Sequence, residues 1–295
     1  MGMGRDLANR YPEAAQVFAE ADRILGYSLS QIAWEGPEEV LTQTRHCQPA
    51  LYVHGLACLA VLRGLVGELE PVAVAGLSLG EFTAHAAAGT FDFATGLQLV
   101  AQRGTFMQEA CESTAGGMAA MIGGEESAVQ ALAVAAGVDV ANYNSPGQIV
   151  VSGEKAGIEK AVALAKEHGV RMAKPLNVAG AYHSRLMASA AQKLGAVLEG
   201  VAIQEPRCLV VANVHARPVR EAAEIRQTLR EQVTGSVRWT QSMETLLNEV
   251  GCELFLELGP GGVLAGLMGR IRKGTPVVSL SDVASMEAAV GALRG

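Results

Sequence analysis

Residues 71–90 read PVAVAGLSLGEFTAHAAAGT. A proline and a run of small and β-branched apolar residues, Val72 to Ala75, predict a short strand buried on both faces. Gly76-Leu77-Ser78-Leu79-Gly80 follows and fits the spacing G-x-S-x-G. Glu81 to Ala88 then form a good helix segment that stops at Gly89. A serine between two glycines, after a buried strand and before a helix, is the sequence form of a nucleophile elbow. The turn is expected to be too sharp for a side chain at Gly76 or Gly80, and glycine removes the Cβ that would clash. Ser78 would project from the tip, where the first free amides of the helix favour a developing negative charge.

Composition bounds the rest. A chain of 295 residues holds one large α/β domain with room for a smaller insert. Apolar residues make up 49% but aromatics only 4%, which suits close packing of small side chains between helices and sheet. The formal charge of −7 offers no phosphate-tracking stripe, so no nucleic acid is expected as a partner. The longest apolar stretch, Ala50 to Val66, contains His54 and Arg63 and falls short of a membrane span, so no membrane association is expected. No signal peptide is expected from the opening residues. Five scattered cysteines (Cys47, Cys58, Cys111, Cys208, Cys252) read as reduced thiols of a cytoplasmic protein. No His/Cys/carboxylate cluster has metal spacing, and no metal or cofactor is expected.

In chain order, residues 4–25 read as helix with a break at Pro12 and a stop at Gly26. Residues 37–41 make a helical turn, Gln48-Pro49 open a helix to Val66, and another runs from Ala94 to Cys111. That last helix carries Arg103. A lone arginine usually marks a solvated face. Beside an acyl-transfer serine it gains a second reading, because a guanidinium holds a carboxylate through two parallel hydrogen bonds.

Residues 116–176 change character. Strand-like, helical, strand-like, strand-like, helical and strand-like segments succeed one another, the β-α-β-β-α-β order of a ferredoxin-like unit. The expected fold is therefore α/β: a hydrolase-like core with a mainly parallel sheet, residues 1–115 and 177–295, and an inserted ferredoxin-like subdomain, 116–176. His183 follows the insert at a loop-to-helix junction and is chosen as the base among six histidines, because a serine nucleophile needs one. Downstream, strands at 207–211, 254–258 and 276–280 alternate with helices. Gly259-Pro260-Gly261-Gly262 is a tight strand-to-helix turn without the lysine and serine of a P-loop.

Together these residues resemble the malonyl-CoA:acyl carrier protein transacylase family. The matching segments are Gln48-Pro49-Ala50-Leu51, Gly76 to Glu81, Arg103-Gly104-x-Phe106-Met107, Asn142-x-Asn144-Ser145-Pro146-Gly147-Gln148, Tyr182-His183-Ser184, Val237-x-Trp239 and Glu257-x-Gly259-Pro260-Gly261. The resemblance implies a ping-pong acyl transfer from malonyl-CoA to the phosphopantetheine thiol of acyl carrier protein. Ser78 would be the nucleophile and His183 the general base, held by the backbone carbonyl of Gln232. Arg103 would grip the malonyl carboxylate, Gln48 would line the pocket, and the Leu79 amide would form half of an oxyanion hole. Tyr182, aromatic before the histidine, implies malonyl over methylmalonyl. A monomer is expected, with Arg270, Arg272 and Lys273, or Arg217 and Arg220, as basic patches for an acidic carrier.

Two departures accompany the resemblance. Leu77 stands where the family has histidine. The family pattern also begins with a strand and a glutamine loop that supplies the second oxyanion-hole amide; Met1 to Leu7 resemble the segment just after that loop, so this strand and amide are expected to be absent from the sequence. Rival readings are a serine esterase or thioesterase, and a weakened acyltransferase remnant that binds carrier protein without turnover.

Overall fold

A computed structural model describes residues 1–67 and 69–293. The helices are α1 (Arg5–Arg10), α2 (Pro12–Leu25), α3 (Leu29–Glu35), α4 (Glu38–Leu41) and α5 (Thr44–Val66) before the first strand, β1 (Ala73–Val74). Then come α6 (Leu79–Ala87), α7 (Phe93–Ser113), β2 (Gly116–Ile122), α8 (Glu126–Ala136), β3 (Asp139–Ser145), β4 (Gln148–Glu154), α9 (Lys155–Leu164) and β5 (Met172–Pro175). The chain closes with α10 (Ala188–Glu199), β6 (Leu209–Val211), β7 (Pro218–Val219), α11 (Ala222–Glu231), α12 (Trp239–Glu244), β8 (Phe255–Leu258), α13 (Val263–Ile271), β9 (Val277–Leu280) and α14 (Val283–Leu293).

The 116–175 segment forms one antiparallel sheet in the order β3-β4-β2-β5. That order, with α8 and α9 as the two crossovers, is the ferredoxin-like arrangement expected from the pattern. Its core is its own: Met121, Val129, Leu132, Val151 and Ile158 bury together.

The α/β core has the mainly parallel pairing expected of it. Its strands form two pieces, β1-β6-β7 and β8-β9. β1 pairs with β6 and β8 with β9 in parallel, while β7 is antiparallel to β6. β1 and β8 contribute to the same two apolar clusters. Val74, Leu256 and Leu258 pack against one, and Ala73 and Phe255 against the other. β1 is half-buried and not buried on both faces as expected, and Val72 just before it is 67% exposed.

α5 is the central packing helix and touches α2, α3, α6, α7 and α14. It begins at Thr44, a turn earlier than Gln48-Pro49 suggested, and carries Pro49 inside it. Its 23 residues are long and apolar enough to cross a membrane, contrary to the expectation from Ala50–Val66; here most of that surface is buried in the fold. All five cysteines are free.

Candidate active site

The site is assembled where five segments meet: α5, the β1–α6 turn, α7, the loop before α10 and the C-terminal end of α11. Ser78 sits at the N-cap of α6 with φ 54° and ψ −108°. Positive φ at a non-glycine residue is strained, and a nucleophile elbow holds it there to expose the hydroxyl. Ser78, His183 and Ala216 are the positive-φ non-glycines among the described residues, so two of the three lie in this site.

The elbow needs one of its glycines for space. A Cβ on Gly76 would lie 1.9 Å from the Gly80 carbonyl carbon and 2.0 Å from its oxygen. A Cβ on Gly80 would meet nothing within 4 Å, contrary to the expectation that both positions exclude a side chain. The close approach of the strand end to the first helical turn is one-sided, and Gly76 occupies the crowded side.

Ser78 and His183 are 105 residues apart in sequence, and the structure brings Ser78 Oγ within 2.8 Å of His183 Nε2. On the other side of the ring, Nδ1 lies 2.8 Å from the backbone oxygen of Gln232. A carbonyl only accepts, so Nδ1 carries the proton and Nε2 presents its lone pair to the serine. Burial, reinforced by the Arg103 charge, holds the His183 imidazole down to about 4, neutral at pH 7. Among the described residues no carboxylate completes a triad; the orienting group is a main-chain oxygen.

Arg103 is 1% exposed and lies within this constellation. Its Nη2 donates to Ser78 Oγ at 3.0 Å and to Gln232 Oε1 at 2.8 Å, and its Nη1 donates to Gln48 Oε1 at 2.5 Å. The guanidinium also stands over the Phe82 ring, 5.4 Å from its centroid. Burial pulls its pKa down to about 10, opposed by the charge of Glu81, and it remains a cation at neutral pH. Gln48 is buried, with its Nε2 towards Met107 Sδ at 3.5 Å. Leu79 is the first residue of α6, so its amide has no acceptor within the helix. Tyr182 hydrogen-bonds to Thr44 Oγ1 through its hydroxyl, which ties the loop before the histidine to the start of α5.

All six residues singled out from the sequence thus converge. Two others were missed. Asn213, after β6, accepts from the Ser78 amide through Oδ1 at 2.7 Å and donates Nδ2 to the Gly76 carbonyl at 2.8 Å, bracing the elbow. Glu81 lies fully buried beneath it, and burial pushes its carboxyl up to about 7 against hydrogen bonds from Gln232 and Asn213 and the Arg103 charge. A glutamate in the first turn of the helix, three residues after the serine, was the available signal for Glu81. Nothing in the sequence around Asn213 distinguished it from a turn residue. Of the proposed basic patches, Arg217 and Arg220 are each ion-paired, to Glu224 at 3.1 Å and to Glu205 at 3.0 Å, while Arg270 and Lys273 are exposed at the end of α13.

Known proteins show the same arrangement of chain. The model of the acyl transferase domain family matches residues 1–290. The malonyl CoA-acyl carrier protein transacylase of Bacillus subtilis is 38% identical over 299 residues, covering 100% of this chain and 93% of that protein. The polyketide biosynthesis malonyl CoA-acyl carrier protein transacylase PksC of the same organism is 43% identical over 277 residues, with 92% and 93% covered. Among solved structures, an acyl carrier protein S-malonyltransferase from Vibrio cholerae superposes with a TM-score of 0.94 at 39% identity, covering 98% of this chain and 95% of that one. A malonyl-transacylase solved in complex with a type II PKS acyl-carrier protein gives 0.95 at 38% identity, with 99% and 95% covered. With a serine elbow, a carbonyl-held histidine and a family match along nearly its whole length, the chain belongs to the acyl transferase domain family.

Proposed function

We propose that this protein moves a malonyl group from malonyl-CoA to the phosphopantetheine thiol of acyl carrier protein by a ping-pong mechanism, with Ser78 as nucleophile and His183 as base. The observation that carries the reading is the position of Ser78 Oγ between two partners, His183 Nε2 at 2.8 Å and Arg103 Nη2 at 3.0 Å. One is a proton acceptor. The other is a buried cation suited to an acyl chain that ends in a carboxylate. An esterase acting on neutral acyl groups has no use for that charge, and the hydrolase order of Ser, Asp/Glu and His is not met here because the imidazole leans on a carbonyl.

In the acylation half, Oγ attacks the thioester carbon as its proton passes to His183 Nε2. The carbonyl oxygen gains the negative charge and meets the Leu79 amide at the positive end of α6. The C–S bond then breaks, and His183 returns the proton to the CoA sulfur. The second half runs in reverse order: His183 takes the proton of the carrier thiol, sulfur attacks the seryl ester, and Ser78 recovers its proton. Gln232 keeps the imidazole in the tautomer that accepts at Nε2. Gln48 and Gln232 hold the Arg103 fork in place before the carboxylate arrives.

In this reading residues 1–115 and 177–295 form the larger part and 116–176 the smaller, a division supported by the separate core of the four-stranded sheet. The protein works in the cytoplasm, where CoA thioesters are made and used, and the exposed Arg270 and Lys273 contact an acidic carrier. Intact mass after brief incubation with malonyl-CoA tests the transfer. A malonyl adduct on the wild type that is lost in Ser78→Ala is expected; an adduct that persists in Ser78→Ala overturns the assignment of the nucleophile.

A further inference from the structure

Glu81 is a fully buried carboxylate that the transfer chemistry above does not use. Its Oε2 accepts from Gln232 Nε2 at 2.7 Å and from the Asn213 amide at 3.1 Å, while Oε1 is buried without a hydrogen-bond partner. Both of these neighbours reach the reacting centre. The Gln232 amide donates to the Ser78 carbonyl at 2.8 Å and accepts from Arg103 Nη2 at 2.8 Å. The Asn213 side chain clasps the peptide groups on either side of the elbow, at Gly76 and Ser78.

The chemistry of the groups fixes the direction of this network. A guanidinium only donates and a carbonyl only accepts, and Glu81 accepts from both of its donors at Oε2, whether or not Oε1 carries a proton. The reversed Gln232 amide would set NH2 against Arg103 and its oxygen against Glu81 and the Ser78 carbonyl. Every contact would then oppose like with like in a site closed to water, where unpaired polar groups are costly.

We propose that Glu81 is a positioning residue for acyl transfer: its carboxylate sets the orientation of the Gln232 amide and anchors Asn213, and through them holds the Arg103 guanidinium and the Ser78 elbow in register. This rests on the reading of Arg103 as the carboxylate clamp. Because Arg103 sits at the far end of the chain of contacts, loss of Glu81 disturbs a carboxylate-bearing acyl group more than a neutral one.

The test compares wild type with Glu81→Ala and Glu81→Gln, using kcat/KM for malonyl-CoA and acetyl-CoA together with the 15N-1H resonances of the Arg103 Nη groups in the free protein. Glu81→Ala is expected to lower the malonyl value about 10- to 100-fold, the scale on which outer supporting partners act, and the acetyl value by less. Glu81→Gln is expected to recover most of the loss, since its side-chain oxygen accepts the same two hydrogen bonds. Resolved Arg103 Nη resonances in wild type and Glu81→Gln should collapse in Glu81→Ala as the guanidinium gains freedom. If Glu81→Ala does not fold, Gln232→Met removes the same link from the other end and should lose the malonyl preference and the resolved resonances alike. Equal losses for both thioesters, a fall in Tm alone, or unchanged Arg103 resonances overturn the proposal. A wild type that never loads malonyl defeats the functional reading, and the resonances then still decide the role of Glu81.

Discussion

Arg103 Nη2 and Ser78 Oγ are hydrogen-bonded at 3.0 Å, so the buried cation of this site touches the nucleophile itself. A guanidinium there can hold the far carboxylate of an acyl group only while that group is bound to Ser78 or poised for attack by it. Charge selectivity and chemistry therefore share one position. Arg103→Ala should lower kcat/KM for malonyl-CoA by about 10²-fold or more, the size of a lost bidentate ion pair, and raise the relative rate with acetyl-CoA. Arg103→Lys should restore little, because a point charge lacks the fork that also meets Gln48 and Gln232. Competition between the two thioesters measures this; unchanged selectivity in Arg103→Ala removes it from its role.

His183 stays neutral far below the range of an ordinary histidine. Burial, with the nearby Arg103 charge, brings it from the usual 6.5 to about 4. The base form therefore persists on acidification. The acid limb of kcat/KM with acetyl-CoA, whose acyl group carries no charge, should fall below about pH 5. A limb centred near the usual histidine value would contradict the buried geometry. His183→Ala should slow Ser78 acylation about 10²- to 10⁴-fold in single-turnover measurements.

Glu81 is displaced the other way. Its carboxyl rises from 4.5 to about 7, so between those values the folded protein binds more of this proton than the unfolded chain does. The slope of stability against pH from this group is negative: its contribution is full below 4.5 and is lost as pH rises through about 7. Over that window the wild type should lose up to about 3 kcal/mol relative to Glu81→Gln, since a tenfold change in proton affinity is worth about 1.4 kcal/mol. The Tm difference between the two proteins, followed across that window and into mildly alkaline buffer, should turn steadily against the wild type. A constant difference would show that Glu81 does not titrate in this range.

The two glycines of the elbow should respond in opposite ways. Gly76→Ala forces a Cβ to within 2.0 Å of the Gly80 peptide. It should cost about 3 kcal/mol or more, with loss of Ser78 reactivity. Gly80→Ala adds a Cβ in open space within a helix and should raise stability by about 0.4–1 kcal/mol. Thermal melts and Ser78 acylation of both variants test the asymmetry; equal damage would mean that the turn closes differently.

Tyr182 is pinned through its hydroxyl to Thr44 Oγ1 beside the catalytic loop. A ring fixed in that place leaves less room for an α-methyl group than serine would. Tyr182→Ser should raise methylmalonyl-CoA relative to malonyl-CoA in kcat/KM, and an unchanged ratio would place the discrimination elsewhere.

The residues that the sequence made legible are those whose chemistry is local. G-x-S-x-G between a strand and a helix announces its serine because the turn needs glycine, and the alternating elements at 116–175 announce their sheet by period alone. His183, Arg103, Gln48 and Gln232 were singled out in sequence through a need or a resemblance. Their meeting at 2.5–3.0 Å around one hydroxyl is a property of the packed chain. Tertiary structure alone decided that Pro49 lies inside α5, that β1 is half-buried, and that Gly76 and not Gly80 is the crowded glycine. It alone revealed the roles of Glu81 and Asn213. Propensity and spacing report on neighbours along the chain, whereas the orientation of a buried carboxylate depends on donors 132 and 151 residues away, which no local pattern encodes.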